Sequence, residues 1–191
     1  MPKPVGFKSS HHTLEIFHIW RFDQKRMVPC PITMKQFSFA EPQKLTVLIG
    51  EDDLDAILLL QAALACIDCE HTVKIVRDGQ EALDYLGGKG KHEDRQAFPF
   101  PDVLLIDLKM PIVSGLKVLW WLGKHPECNV LPTIVFSTSN DPADIKRAYD
   151  LGASAYFVKP LQFDELTDIL ESTFKFWGKC VKPQPLPQNC A

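Results

Sequence analysis

From Leu45 onward, short apolar runs alternate with longer stretches of mixed polarity. Leu45-Thr-Val-Leu-Ile49 is continuous and apolar, as a strand buried on both faces requires. Asp53 or an adjacent acid can then cap a helix running to about Ile67, with Ala56, Leu59, Leu60, Ala63 and Leu64 on one face. Thr72–Val76 is a second apolar run, broken by Asp78-Gly79. A short helix follows through Ala82, Leu83, Tyr85 and Leu86, and Gly87-Gly88 ends it. Beyond a polar loop at 89–101, Val103–Ile106 reads as the third strand and residues 114–124 as a helix. Thr133–Phe136 is the fourth strand. Asp141–Leu151 is a helix with Pro142 at its first position, which suits proline. Ser154–Val158 and Phe163–Trp177 complete the series, the last helix carrying a stripe of Leu166, Ile169, Leu170, Thr173, Phe174 and Trp177, with Phe176 off it. Five strand–helix units in strict alternation predict a doubly wound α/β domain: a parallel sheet, right-handed crossovers, helices on both faces.

Residues 1–43 lack this regularity. Aromatics mix with prolines, and 13–22 fits one short strand or helix. The expected organisation is therefore a poorly ordered extension at 1–43, a domain at 44–177 and a proline-rich tail at 178–191, with nothing after it large enough to be an effector domain.

Composition changes little in this picture. With 46% hydrophobic and 24% charged residues the chain is an ordinary globular protein, and a net charge of −3 offers no field for nucleic acid. No apolar run reaches about 18 residues, so no membrane span is expected. No secretory signal is read at the amino terminus, and cytoplasmic localisation is expected. The six cysteines are scattered. Cys66 and Cys69 form a lone C-x-x-C; Cys66 is read as an apolar side chain packed at a helix end, and the compartment as reducing.

In a doubly wound sheet, ligands bind at the carboxyl ends of the strands. Those ends carry Glu51-Asp52-Asp53, Asp107, Ser137-Thr138 and Lys159-Pro160. Convergent carboxylates repel one another without a cation, and an oxygen-rich acidic cluster suits a hard ion such as Mg2+. Asp107 fits a nucleophile for phosphoryl transfer; a cation, the Lys159 ammonium and the Ser137 hydroxyl fit the stabilisation of phosphoryl charge. Each residue also has a plainer reading. Asp52 or Asp53 could cap the first helix, Asp107 could be a turn residue, Ser137 and Thr138 could cap a helix, and Lys159 could be a solvated strand end.

The residues G-E-D-D at 50–53, D-V-L-L-I-D-L-K-M-P at 102–111 with Gly115, S-T-S at 137–139 and Y-F-V-K-P at 156–160 resemble, in order and spacing, the two-component response regulator receiver family, over roughly 44–177. The resemblance implies a flavodoxin-like (CheY-like) five-stranded sheet in the order 2-1-3-4-5. It implies Asp107 as phosphoacceptor and Mg2+ held by Asp52, by Glu51 through water, by Asp107 and by the Lys109 backbone carbonyl. Ser137 and Tyr156 become switch residues, and Lys159 the phosphoryl contact. The long loop before strand three, S-T-S, and the ending from Phe176-Trp177 to Pro187 resemble the regulators that serve bacterial phytochrome histidine kinases. In that group Lys109 is usually an uncharged residue. The expected partners are a sensor histidine kinase, a phytochrome in the subfamily reading, and a second copy in a homodimer through the last helix and tail, with neither nucleic acid nor membrane. Output is expected through altered protein–protein binding, from a single-domain signalling protein and not an enzyme acting on a metabolite. The rivals are a Mg2+-dependent aspartyl-phosphate phosphatase, which wants an acid where Lys109 stands, a flavodoxin-like flavin or nucleotide carrier, which wants a phosphate loop after strand one, and a degenerate receiver that only binds partners.

Overall fold

The computed structural model describes residues 20–23, 26–29, 44–125, 128 and 130–181. The chain divides into two units, Met1–Ala40 and Glu41–Ala191. In the first, Trp20–Asp23 pairs antiparallel with Arg26–Pro29, Trp20 opposite Pro29 and Asp23 opposite Arg26. This pairing was not legible in the sequence; the rest of the 1–43 extension, and the tail beyond Val181, lie outside the described residues.

The second unit holds β1 (Leu45–Gly50), α1 (Leu54–Cys66), β2 (His71–Val76), α2 (Gly79–Gly87), β3 (Val103–Ile106), α3 (Gly115–Lys124), β4 (Thr133–Ser137), α4 (Pro142–Asp150), β5 (Ala155–Val158) and α5 (Phe163–Lys179). The strands form one parallel sheet in the order β2-β1-β3-β4-β5, the order the resemblance implied. Side chains alternate between two cores, because strand residues point to opposite faces in turn. Leu48, Leu104, Ile106 and Val135 meet Tyr85, Leu86, Val118 and Leu119 on one side. Val47, Ile49, Leu105, Ile134 and Phe136 meet Leu60, Leu64, Leu166, Leu170 and Phe174 on the other. Truncating any one of these buried leucines to alanine typically costs about 2–5 kcal/mol.

Two sequence expectations change. Leu59 faces solvent with Leu54 and Leu58, while Ile57 joins Leu60, Ala63 and Leu64 inside. Leucines at 54, 58, 59 and 60 make α1 apolar almost all round, so periodicity cannot select its inner face. Cys66, expected to pack, is exposed at the end of α1; Cys69 is half-buried with Sγ 3.7 Å from His71 Nδ1. Cys66, Cys69 and Cys180 are free thiols, and buried Cys128 is disulfide-bonded. No helix among the described residues is long and apolar enough to cross a membrane.

The polar loop after α2 is a packed structure. Gly88 ends the helix in the left-handed region, φ 60°, and Arg95 lays its guanidinium across the open carbonyls, Nη1 donating to Tyr85 O at 2.8 Å and Nη2 to Leu86 O at 2.9 Å. His92 is 3% exposed, its ring 5.0 Å from that of Tyr85 and 4.9 Å from that of Phe98. Neither of its nitrogens has a hydrogen-bond partner among the described residues, Nε2 standing 3.9 Å from Glu81 Oε1. Burial, helped by the charges of Lys91 and Arg95, pushes the imidazole below its ordinary pKa against the opposite pull of Glu81 and Asp84. The unfolded chain then binds a proton that the folded chain refuses, so stability is full above about pH 6.5 and declines as pH falls from there toward the lowered value. Urea midpoints at pH 7.5 and 5.5 should fall further for the wild type than for His92→Phe; equal falls would refute this account.

Candidate functional site

The backbone fixes the site before any side chain is considered. Parallel pairing carries past the strands: Glu51 N–H donates to Val76 O at 3.0 Å, Asp107 N–H to Gly50 O at 2.9 Å and Lys159 N–H to Ser137 O at 2.9 Å. Residues 51, 107, 137 and 159 are thereby brought to one edge of the sheet. Glu51 is 2% exposed and Asp107 6% exposed, so both carboxylates must find partners.

They find a shared one. Lys159 Nζ lies 2.6 Å from Glu51 Oε2 and 2.6 Å from Asp107 Oδ2. The other oxygen of Asp107 accepts from the Ser137 hydroxyl at 2.7 Å and from the Lys109 N–H at 3.1 Å. Burial raises the Glu51 pKa, and the Asp107 charge adds to the rise, against the lowering effect of Lys159. For Lys159, burial works against the charge, but hydrogen bonds to Asp107 and Glu51 outweigh it and hold its pKa above the ordinary value.

The neighbouring acids divide their work. Asp53 is the cap of α1, its Oδ1 accepting from Asp55 N–H at 2.9 Å. Asp52 is half-buried and makes no side-chain hydrogen bond or ion pair to the described residues. The capping alternative therefore belongs to Asp53, and Asp52 is left with a free carboxylate. The Tyr156 hydroxyl donates to Ser139 O at 2.8 Å. Burial raises its pKa, and Tyr156 lies near enough for the charge of Asp107 to add to the rise. The Lys109 side chain is exposed.

The segment after Asp107 is wedged in place. A Cβ on Gly115 would stand 2.1 Å from Asp107 O, and one on Gly79 would stand 2.0 Å from Val113 O. Between them Ile112 has φ 61° and is 76% exposed. Such a backbone in a β-branched residue costs on the order of 1–3 kcal/mol and persists because its surroundings hold it. Sequence reading caught Gly115 as part of a motif but took Gly79 only as a strand breaker. It did not see Ile112 as strained or Ser139 as a bonding centre, because each depends on a contact between distant segments.

Among the described residues no group of three His, Cys, Asp or Glu side chains is placed so that it could hold a metal ion by itself. The donor set nevertheless asks for a cation: two buried carboxylates flank an ammonium, and the free carboxylate of Asp52 lies next in sequence to Glu51. Hard oxygen ligands with room for water suit Mg2+, which binds through one or two carboxylates and keeps several waters.

Comparison with known proteins gives consistent results. Residues 47–171 match the response regulator receiver domain. The response regulator Rcp1 of Synechocystis sp. is 28% identical over 142 residues, 74% of this chain and 94% of its own. Its Mn(2+)-bound structure superposes with a TM-score of 0.65 at 28% identity, covering 75% of this chain and 99% of that one. The phosphorylated cyanobacterial phytochrome response regulator RcpA gives 0.68 at 32% identity, covering 74% and 100%. A response regulator in red light signalling of R. palustris gives 0.69 at 33% identity, covering 73% and 99%.

Proposed function

The chain belongs to the response regulator receiver domain family, and from that premise we propose that it accepts a phosphoryl group on Asp107 from a phosphohistidine of a sensor histidine kinase. The supporting observation is the environment of one carboxylate. Asp107 has one oxygen held by Ser137 and Lys109 and the other by Lys159, with the free carboxylate of Asp52 close in the chain to Glu51.

Chemically, a lone pair of Asp107 forms the new O–P bond while the P–N bond to the donor imidazole breaks and its electron pair returns to the ring. Lys159 balances negative charge on the phosphoryl oxygens, and the Ser137 hydroxyl turns to donate to one of them. Asp52 and Asp107, with the Lys109 backbone carbonyl and with Glu51 through water, would hold Mg2+. Such an ion would supply charge neutralisation beyond that of one ammonium shared between two carboxylates. The protein assists its own phosphorylation and dephosphorylation, and the aspartyl phosphate is the signal.

Kinship with RcpA, Rcp1 and the R. palustris regulator supports a phytochrome kinase as the donor, and a cytoplasmic setting goes with such a partner. A phosphatase acting on other substrates has less support, since Lys109 stands two residues after the nucleophile, where an acid would be needed. The full set of Asp52, Asp107 and Lys159 argues against a degenerate binding module. Incubation with acetyl phosphate and Mg2+ should label the protein, and chelation with EDTA should reduce the rate at least tenfold. Undiminished labelling in EDTA would remove the acidic cluster from the mechanism.

For the signalling output we propose a homodimer through α5 and the tail. Phe176 is 61% exposed beside Trp177, and exposed aromatics of this kind are enriched where interfaces form. Full-length protein should sediment as a dimer, more so with phosphodonor, and a chain truncated after Gly178 as a monomer. A monomer at high micromolar concentration in both states excludes the dimer.

A further inference from the structure

β2 lies at one edge of the sheet, where it pairs with β1 and with no other described strand. The phase of that pairing decides which of its residues are spare. Leu45 N–H donates to Glu70 O at 3.1 Å and Glu51 N–H to Val76 O at 3.0 Å. Bonding residues alternate along a parallel ladder, so Thr72, Lys74 and Val76 turn their backbone groups toward β1. His71, Val73 and Ile75 turn theirs outward. The side chains of the same three residues are half-buried, and with Leu64, Ala65 and Ile67 they line an open groove of about 510 Å3 beside that edge.

The last helix brings the chain to this place. α5 runs back from the carboxyl ends of the strands, and the Phe174 ring lies 5.6 Å from that of His71, the first residue of β2. The helix ends at Lys179, about 8 Å further along its axis at ~1.5 Å per residue. Lys-Pro-Gln-Pro-Leu-Pro-Gln follows at 182–188. Extended at ~3.1 Å per residue, that segment spans the ~20 Å of β2.

The segment has a phase of its own. Its prolines stand at 183, 185 and 187, every second position. Successive residues of a strand turn their N–H groups to opposite sides. A strand of this sequence therefore has one side without donors and another with all of them, those of Gln184, Leu186 and Gln188. It can pair along one edge only. Sheets accept proline in that situation, on an edge strand with the missing N–H toward solvent.

We infer that residues 182–188 add to β2 of their own chain as a sixth, parallel strand, donating the N–H groups of Gln184, Leu186 and Gln188 to the carbonyls of His71, Val73 and Ile75. The direction is parallel because the chain leaves α5 beside the first residue of β2. Parallel register sets Pro183, Pro185 and Pro187 level with His71, Val73 and Ile75, so the proline rings cover the groove. The new outer edge has no N–H to offer at its prolines, which closes the sheet to further pairing on this side. The pairing uses backbone groups of β2 and leaves α5 to the dimer proposed above. Nothing in it depends on the phosphoacceptor.

The test is amide hydrogen exchange, read residue by residue by NMR, on the full chain and on a chain truncated after Val181. The N–H groups of Val73 and Ile75 should exchange roughly tenfold or more slowly in the full chain, while those of Thr72 and Lys74 should be equally protected in both. That alternation separates a ladder from general loosening, and protected Thr72 and Lys74 show that each variant is folded. Leu186→Pro removes the central donor and should return Val73 and Ile75 to fast exchange. Pro185→Ala, on the outward side, should leave them protected. Equal exchange of Val73 and Ile75 in the full and truncated chains overturns the pairing. Protection that survives Leu186→Pro also overturns it, since the prolines would then pack in the groove without a ladder. Protection regained by labelled truncated chain on mixing with unlabelled full-length protein gives the edge to the tail of a second copy and overturns the assignment within one chain.

Discussion

Asp107→Asn should abolish labelling by acetyl phosphate or by a phosphorylated kinase while leaving the fold intact. The substitution keeps size and shape, and the remaining carbonyl oxygen can still accept from Ser137 and from the Lys109 N–H. What goes is the charged nucleophile: an amide oxygen does not form a stable phosphate ester at neutral pH. Two stability effects oppose each other. Lys159 loses one of its two carboxylates, worth about 1–3 kcal/mol for a charged hydrogen bond, while the repulsion between Asp107 and Glu51 disappears. The net change should stay within about 2 kcal/mol, a few degrees in thermal midpoint for a domain of this size. Labelling by gel shift and melting by circular dichroism decide it. Stoichiometric, acid-stable label on the mutant would place the acceptor elsewhere.

Gly115→Ala should be among the most damaging single-methyl changes in the protein. The added Cβ would lie 2.1 Å from Asp107 O, 2.9 Å from Asp107 C and 3.0 Å from Leu108 Cα, all backbone atoms that no rotamer can move aside. Relief requires α3 to retreat or the acceptor strand to shift. Overpacking against flexible side chains costs about 1–3 kcal/mol, so a clash with backbone belongs at or above the top of that range. A fall in midpoint on the order of 10 °C is expected. A displacement of Asp107 by even about 1 Å should slow phosphotransfer by roughly a hundredfold. Gly178→Ala is the matched control: its Cβ meets nothing, and alanine in a helix gains about 1 kcal/mol over glycine. An unchanged midpoint in Gly115→Ala would show that the turn gives way without cost.

Several features were legible in the sequence for physical reasons. Strands such as Val103–Ile106, buried on both faces, leave uninterrupted apolar runs, and Pro142 marks the start of α4. The site residues were legible because strand ends in this architecture share one edge. The division of labour between Asp52 and Asp53 was not, since both lie where a cap is acceptable and only the bond to Asp55 distinguishes them. The inner face of α1 was hidden by its surplus of leucine. The segment 89–101 looked like an open loop because its organising contacts, Arg95 on the end of α2 and His92 between Tyr85 and Phe98, join side chains whose polarity suggests solvent. Ser139 was hidden as well: its partners at 137, 141, 144 and 156 come from three different elements.

The strand order has a consequence for synthesis on the ribosome. β1 is the first strand of this sheet in the chain, yet one of its two neighbours is β3, so Val47–Gly50 must wait for Val103–Ile106. Once Val76 has emerged, β1 and β2 can pair, but about thirty more residues must be translated before the other edge of β1 is covered. At ~5–20 residues per second that interval lasts on the order of a few seconds, during which a six-residue apolar edge is open to pairing with another nascent chain. Every residue inserted between α2 and β3 lengthens that interval, so the segment that Arg95 and His92 fold down also sets how long the newborn strand stays exposed.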